Sequence, residues 1–146
     1  FQLEEGLELA AEYCEEAKKL FGSAGWSRAE TMVLETFGRI KSKQKKFDVA
    51  IKALKEAVEA CRGFKDRGLE GEALAYLTEA LLGKVNEEEA FLPTLDAKKL
   101  ADEGQASSDL ARKIFEELQD KDGQLILDEV LFQASNTAVE RFCEVN

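Results

Sequence analysis

The feature that most narrows the folds open to this chain is its likeness to itself at a shift of 40 residues. Ala10 and Ala17 fall on Ala50 and Ala57, then on Ala90 and Ala97, and Glu16, Glu56 and Asp96 each precede the second alanine of a pair. At a shift of 80, Ala17-Lys18-Lys19-Leu20 recurs as Ala97-Lys98-Lys99-Leu100, while Leu34, Leu74 and Ile114 stay in register, as do Phe37 and Leu77. Alanines seven residues apart suit a helix that crosses its neighbour closely, where a larger side chain would force the axes apart. A period of this length points to stacked helical hairpins, because one pair of helices cannot cover its own apolar face.

Apolar spacing agrees. Ala10, Tyr13, Cys14, Ala17, Leu20 and Phe21 recur at three- and four-residue intervals, as do Phe47, Ala50, Ile51, Leu54, Ala57, Val58 and Cys61, and no stretch alternates as a strand would. Breaks are expected at Gly22–Gly25, Gly63–Gly68, Gly83–Glu88, around Gly104 and at Asp120–Gly123. The expectation is an all-α domain spanning 1–146, about seven antiparallel helices joined by short turns, either complete or part of a longer array. Pro93 disturbs the pattern. Asn86-Glu87-Glu88-Glu89 reads as a capping box for a helix that Pro93 would kink; alternatively 86–93 is a loop and the helix starts beside Thr94. A rival register makes Asp96–Leu118 one long helix with Ala111 in the role of Ala57; the 40-residue register is the preferred expectation.

Twenty basic against thirty acidic side chains give a net charge of −10, which disfavours nucleic acid and anionic membrane surfaces and favours neutral or basic protein partners. No apolar run approaches the roughly 20 residues that a membrane-spanning helix needs. With no histidine, Ser-His-Asp and Cys-His catalysis, a histidine zinc site and a histidine pH switch all drop out. Cys14, Cys61 and Cys143 are odd in number and form no Cys-x-x-Cys pair, which suits reduced core thiols in an intracellular compartment, cytoplasmic or inside an organelle after removal of a leader.

Leu34, Phe37, Gly38, Phe47, Ala50, Leu54 and Ala57 have the spacing of the tetratricopeptide repeat (TPR), which this chain therefore resembles. Gly63-Phe-Lys-Asp-Arg-Gly68 and Leu118-Gln-Asp-Lys-Asp-Gly123 look like the longer turns of the subclass with repeats of about 40 residues. The resemblance covers a half repeat at the start, a clear repeat at about 29–65 and a degenerate one after it; Lys41 and Thr78 depart from the usual tyrosine and glycine. It implies a short right-handed α-solenoid whose first helices line a groove for a partner segment, with no cofactor and no catalytic residue. Carried over position by position, that groove presents Met32, Glu35, Arg39, Ser42 and Lys43, then Glu72, Ala75, Glu79 and Leu82. Glu35 and Arg39 stand where the chaperone-tail-binding members hold a lysine and asparagine clamp, so a C-terminal carboxylate is not the expected ligand, whereas Glu72 and Glu79 suit a segment carrying Lys or Arg.

Other motifs reduce to architecture. Asp120–Glu129 resembles a calcium loop, but its sixth residue is Leu125 and its twelfth position Leu131, so the loop cannot surround a cation. Adjacent carboxylates such as Glu15/Glu16 and Asp128/Glu129 point about 100° apart on a helix and are solvated faces. Lys41-Ser-Lys-Gln-Lys-Lys46 complements a helix C-terminus or, alternatively, offers an acidic partner a site. Trp26 is expected against the preceding helix, with an exposed interface role as the alternative. Two functions are carried forward: a non-catalytic scaffold with a partner-binding groove, and an accessory subunit packed into a large assembly, which the apolar ends Phe1 and Phe142 motivate.

Overall fold

In a computed structural model of the chain, residues 2–88 and 93–145 are described, 139–145 by backbone alone. Six helices and no strand are present among them: α1 (Gln2–Ser23), α2 (Ser27–Lys43), α3 (Phe47–Phe64), α4 (Arg67–Glu88), α5 (Thr94–Glu117) and α6 (Lys121–Val145).

Four of the turns use one device. Gly25, Lys45, Lys65 and Gln119 take left-handed backbone conformations, with φ of 73°, 59°, 57° and 53°. The N–H of the following residue then reaches back to a carbonyl five residues earlier: Trp26 to Phe21, Lys46 to Lys41, Asp66 to Cys61 and Asp120 to Phe115, at 2.9–3.0 Å. This closes carbonyls that the helix end leaves open. Only one turn in four places glycine at the left-handed position; the break expected at Gly63–Gly68 falls at Lys65-Asp66, with Gly63 in the last turn of α3 and Gly68 in the first of α4. At two turns an aspartate caps the next helix: Asp66 accepts from the Leu69 N–H at 3.1 Å and Asp120 from the Gly123 N–H at 2.9 Å. The calcium-like stretch is this turn followed by α6.

The 40-residue register carries α2 onto α4 and then fails. No break occurs at Gly104, where α5 continues and a Cβ would lie 3.0 Å from Leu82 of α4; glycine there allows close approach. Six described helices therefore stand where about seven were expected. The rival register describes this region: residues 94–117 form one helix and Ala111 is fully buried. Pro93 has no N–H to give a helix interior, and α5 begins directly after it, with the Asp96 and Ala97 N–H groups bonded to the Pro93 carbonyl. Asn86 lies within α4 rather than opening a helix; Glu89 and Ala90, the rest of the expected box and alanine pair, lie outside the described residues.

Small and apolar residues encircle α4, and such a helix is stable only when surrounded. Gly71, Ala73, Leu74, Ala75, Leu77, Thr78, Ala80 and Leu81 are all buried, and α4 packs against α2, α3, α5 and α6. The Phe115 ring is the tightest knob: a Cβ at Gly71 would come within 2.7 Å of it and one at Gly123 within 2.3 Å. Gly38 plays the same part for Leu54, at 2.6 Å. By contrast Ala11 is the only buried residue of α1, and Leu3, Leu9, Tyr13 and Leu20 face outward. No helix among the described residues is long and apolar enough to cross a membrane.

Candidate functional site

Interactions between α2, α4 and α6 fix how these helices lie. Arg28 pairs with Asp66 at the start of α4, Arg39 sits over the Tyr76 ring at 4.1 Å, and Lys45 bridges to Glu87 at 3.3 Å. Partner numbers rise together, so α2 and α4 run in the same direction. Asn86 donates to the Ala134 carbonyl at 3.0 Å, and Glu129 acts on Glu79, which places α6 alongside α4 in the same sense. Three helices thus share one face, with α4 in the middle.

Of the residues assigned to a groove, the structure brings Glu35, Arg39, Ser42, Lys43, Glu72 and Glu79 onto this face. Met32 is exposed beside Tyr13, Cys14 and Ala17 of α1, turned from α4. Ala75 is completely buried in the core, and Leu82 leans on Gly104 of α5. The missed residue is Tyr76. At 3.6 residues per turn, Glu72, Tyr76, Glu79 and Gly83 form a narrower stripe than Glu72, Ala75, Glu79 and Leu82, and that spacing could have found it. The contribution of α6 could not be found while the register after Asn86 was misplaced.

Glu35 sets the electrostatics. It is 6% exposed and makes no hydrogen bond or ion pair among the described residues. Burial, then the Glu72 carboxylate, push its carboxyl up to about 8, against a smaller opposing pull from Arg39. Arg39 is engaged by the Tyr76 ring, a cation–π contact. Glu72 is raised by burial and by Asp120 and Asp66, with Arg39 pulling down. Glu79 is raised by burial and by Glu129, while Lys43 and Arg39 lower it. Ser42, 7% exposed, has a buried hydroxyl without a hydrogen-bond partner. It lines a hollow of about 340 Å³ that Lys43, Glu79, Gly83, Asn86, Val130 and Gln133 also border.

Elsewhere the chemistry is satisfied internally. The lysine run is dispersed: Lys41 lies over Phe37 at 5.2 Å, Lys45 reaches Glu87, and Lys46 lies 3.8 Å from Glu8. Trp26 stacks on Phe21 of α1 at 5.8 Å yet stays 63% exposed, so both roles considered for it have support. A larger hollow of about 680 Å³ between α1 and α2 has balanced charges, Glu15 and Glu30 against Lys18 and Lys19. Cys14 at its edge and buried Cys61 are both pushed upward by burial, Cys61 to about 11, the opposite of thiol activation. Side chains of Phe142 and Cys143 lie outside the described residues. Among the described residues no group of acidic or cysteine side chains is placed to hold a metal ion. Comparison with protein-family models, curated proteins and solved structures finds no match for this chain.

Proposed function

We propose that the chain is a TPR-like array of helical hairpins, a short right-handed solenoid that serves as a non-catalytic protein-binding module. The partner segment lies along the face of α2, α4 and α6 and carries Lys or Arg. One observation carries this reading: Glu35, 6% exposed, makes no hydrogen bond or ion pair among the described residues, while Arg39 one turn away is held on an aromatic ring. Burying an ionisable group without a partner is costly, and such cost is retained where it serves something besides folding. Parallel α2, α4 and α6, the shared turn and Gly38 seated on Leu54 support the repeat reading. With no histidine to act as base, the acids of this face suit recognition better than catalysis.

The test is binding of fluorescein-labelled hexalysine to the wild type and to a Glu72→Lys, Glu79→Lys variant. Reversal at both sites is expected to weaken binding at least ten-fold with the helical signal and melting temperature retained. Undiminished binding would overturn the groove reading. A second reading, an accessory subunit wedged in a larger assembly, draws support from exposed Leu9, Tyr13 and Leu20 on α1 and Leu125 and Phe132 on α6. Crosslinks from Lys43 to one short segment favour the groove; crosslinks from Lys18, Lys65 and Lys98 to several proteins favour the assembly.

A further inference from the structure

Resting on the groove reading, we infer that Glu35 and Glu72 form a seat for one lysine or arginine side chain of the partner. The geometry has three parts. Arg39 of α2 and Tyr76 of α4 touch at 4.1 Å, and Glu35 and Glu72 each lie one turn earlier on these parallel helices, so the two carboxyl groups come close across the seam. Arg39, one turn further along α2, could neutralise them, but its guanidinium lies over Tyr76. Seven residues from Glu35, on the same side of α2, the Ser42 hydroxyl, unpartnered among the described residues, lines the hollow that Glu79 also borders. The rise from Glu35 to Ser42 is about 10 Å, the span of roughly three residues of an extended chain. A segment with its basic side chain over Glu35 would therefore bring a polar group to Ser42.

The charges around Glu35 come from three helices. On its own α2 the neighbour is Arg39; α4 supplies Glu72 and Tyr76; α3 supplies Cys61, whose thiol feels the Glu35 charge. Asp66 and Asp120, at the starts of α4 and α6, act on Glu72 and add negative charge at the rim. Burial and this surplus hold a proton on Glu35 well above the ordinary carboxylate range. An ammonium or guanidinium placed between the carboxyls favours the ionised form, so the proton departs to solvent as the cation arrives. No covalent bond changes.

Isothermal titration of the whole chain with hexalysine, in two buffers of different ionisation enthalpy, counts the protons released. The wild type is expected to release a proton near pH 7 and to bind about ten-fold more tightly at pH 8.5 than at pH 6.5, a range in which the lysine side chains of the probe, acetylated at its N-terminus, stay charged. Glu35→Gln, nearly isosteric, is expected to fold, to bind more weakly and to lose both the proton release and the pH dependence. Wild-type binding that releases no proton, or that Glu35→Gln leaves unchanged, overturns the inference and leaves the groove reading standing. Absence of wild-type binding at both pH values overturns the inference and the groove reading together. A Glu72→Gln variant guards against misfolding of Glu35→Gln: it must also reduce the proton release, and an unaltered count contradicts the shared seat.

Discussion

Two buried glutamates in this fold are treated in opposite ways. Glu70, 4% exposed, accepts from Arg62 Nε at 2.9 Å and from Arg67 at 3.3 Å, and those arginines extend to Glu59 and Glu117. Glu35, buried to nearly the same extent, accepts from no arginine among the described residues although Arg39 lies one turn away. Glu70 ties α3 to α4 and the rim of α5, so its charge is consumed by the fold. Glu35 meets another carboxyl across a seam, and Arg39, held on its ring, offsets only part of that charge. Burial alone does not separate a structural acid from a functional one; the identity of the neighbours does.

The largest way to break the contrast is to strip Glu70 of its partners. Arg62→Ala with Arg67→Ala is expected to cost about 3–5 kcal/mol of stability, because a buried charge loses its compensation. Urea denaturation near pH 7 measures this, and a loss below about 1 kcal/mol would mean that Glu70 is as tolerant of isolation as Glu35.

Next in size is the pH dependence of stability that Glu35 imposes. Glu35 titrates at about 8 in the folded chain against an ordinary value of 4.5, so between those values the folded state binds more protons than the unfolded. Its contribution is least unfavourable below pH 4.5, and stability falls as pH rises toward 8. Glu35→Gln should remove that fall: relative to the wild type it gains about 3 kcal/mol between pH 5 and pH 8. Glu70→Gln should instead be less stable than the wild type throughout, since it loses two charge-assisted bonds. Denaturation curves at the two pH values check both, and a wild type whose stability rises over this range would contradict the account of Glu35.

Much of this arrangement was open to inspection in the sequence, and the boundary is physical. Glu35, Arg39, Glu72 and Glu79 follow from helical spacing and the repeat pattern, because α2 and α4 keep a 40-residue register. That register ends once Pro93 delays the start of α5 and Gly104, small for packing against Leu82, mimics a break. After that point α6 could not be aligned, so Asn86, Gln133 and the hollow around Ser42 stayed hidden. Left-handed Lys45, Lys65 and Gln119 were also illegible, since this conformation ordinarily signals glycine. The contrast between Glu35 and Glu70 rests on which arginines arrive in three dimensions, which spacing along the chain does not encode.

A smaller change sharpens the comparison at Arg39. Tyr76→Leu removes the ring that engages the guanidinium, at a cost of about 1 kcal/mol. Freed, Arg39 is expected to turn toward Glu35 and make it resemble Glu70, lowering its titration midpoint and weakening hexalysine binding. Carbon-detected NMR of the side-chain carboxyls follows the midpoint. The smallest effect belongs to the exposed pairs: Lys84→Ala, which breaks the contacts with Asp48 and Glu88, should cost less than about 1 kcal/mol and vanish at high salt.

The most direct measurement of the central claim is a backbone amide NMR titration of the whole chain with hexalysine at pH 8. The net charge of −10 guarantees some attraction, so the location of the response decides. The account predicts shifts concentrated at Glu35, Arg39, Ser42, Glu72, Tyr76 and Glu79. Shifts confined to the acidic first half of α1, around Glu4, Glu5, Glu8 and Glu12, would show that the peptide follows bulk charge and would contradict a binding face on α2, α4 and α6.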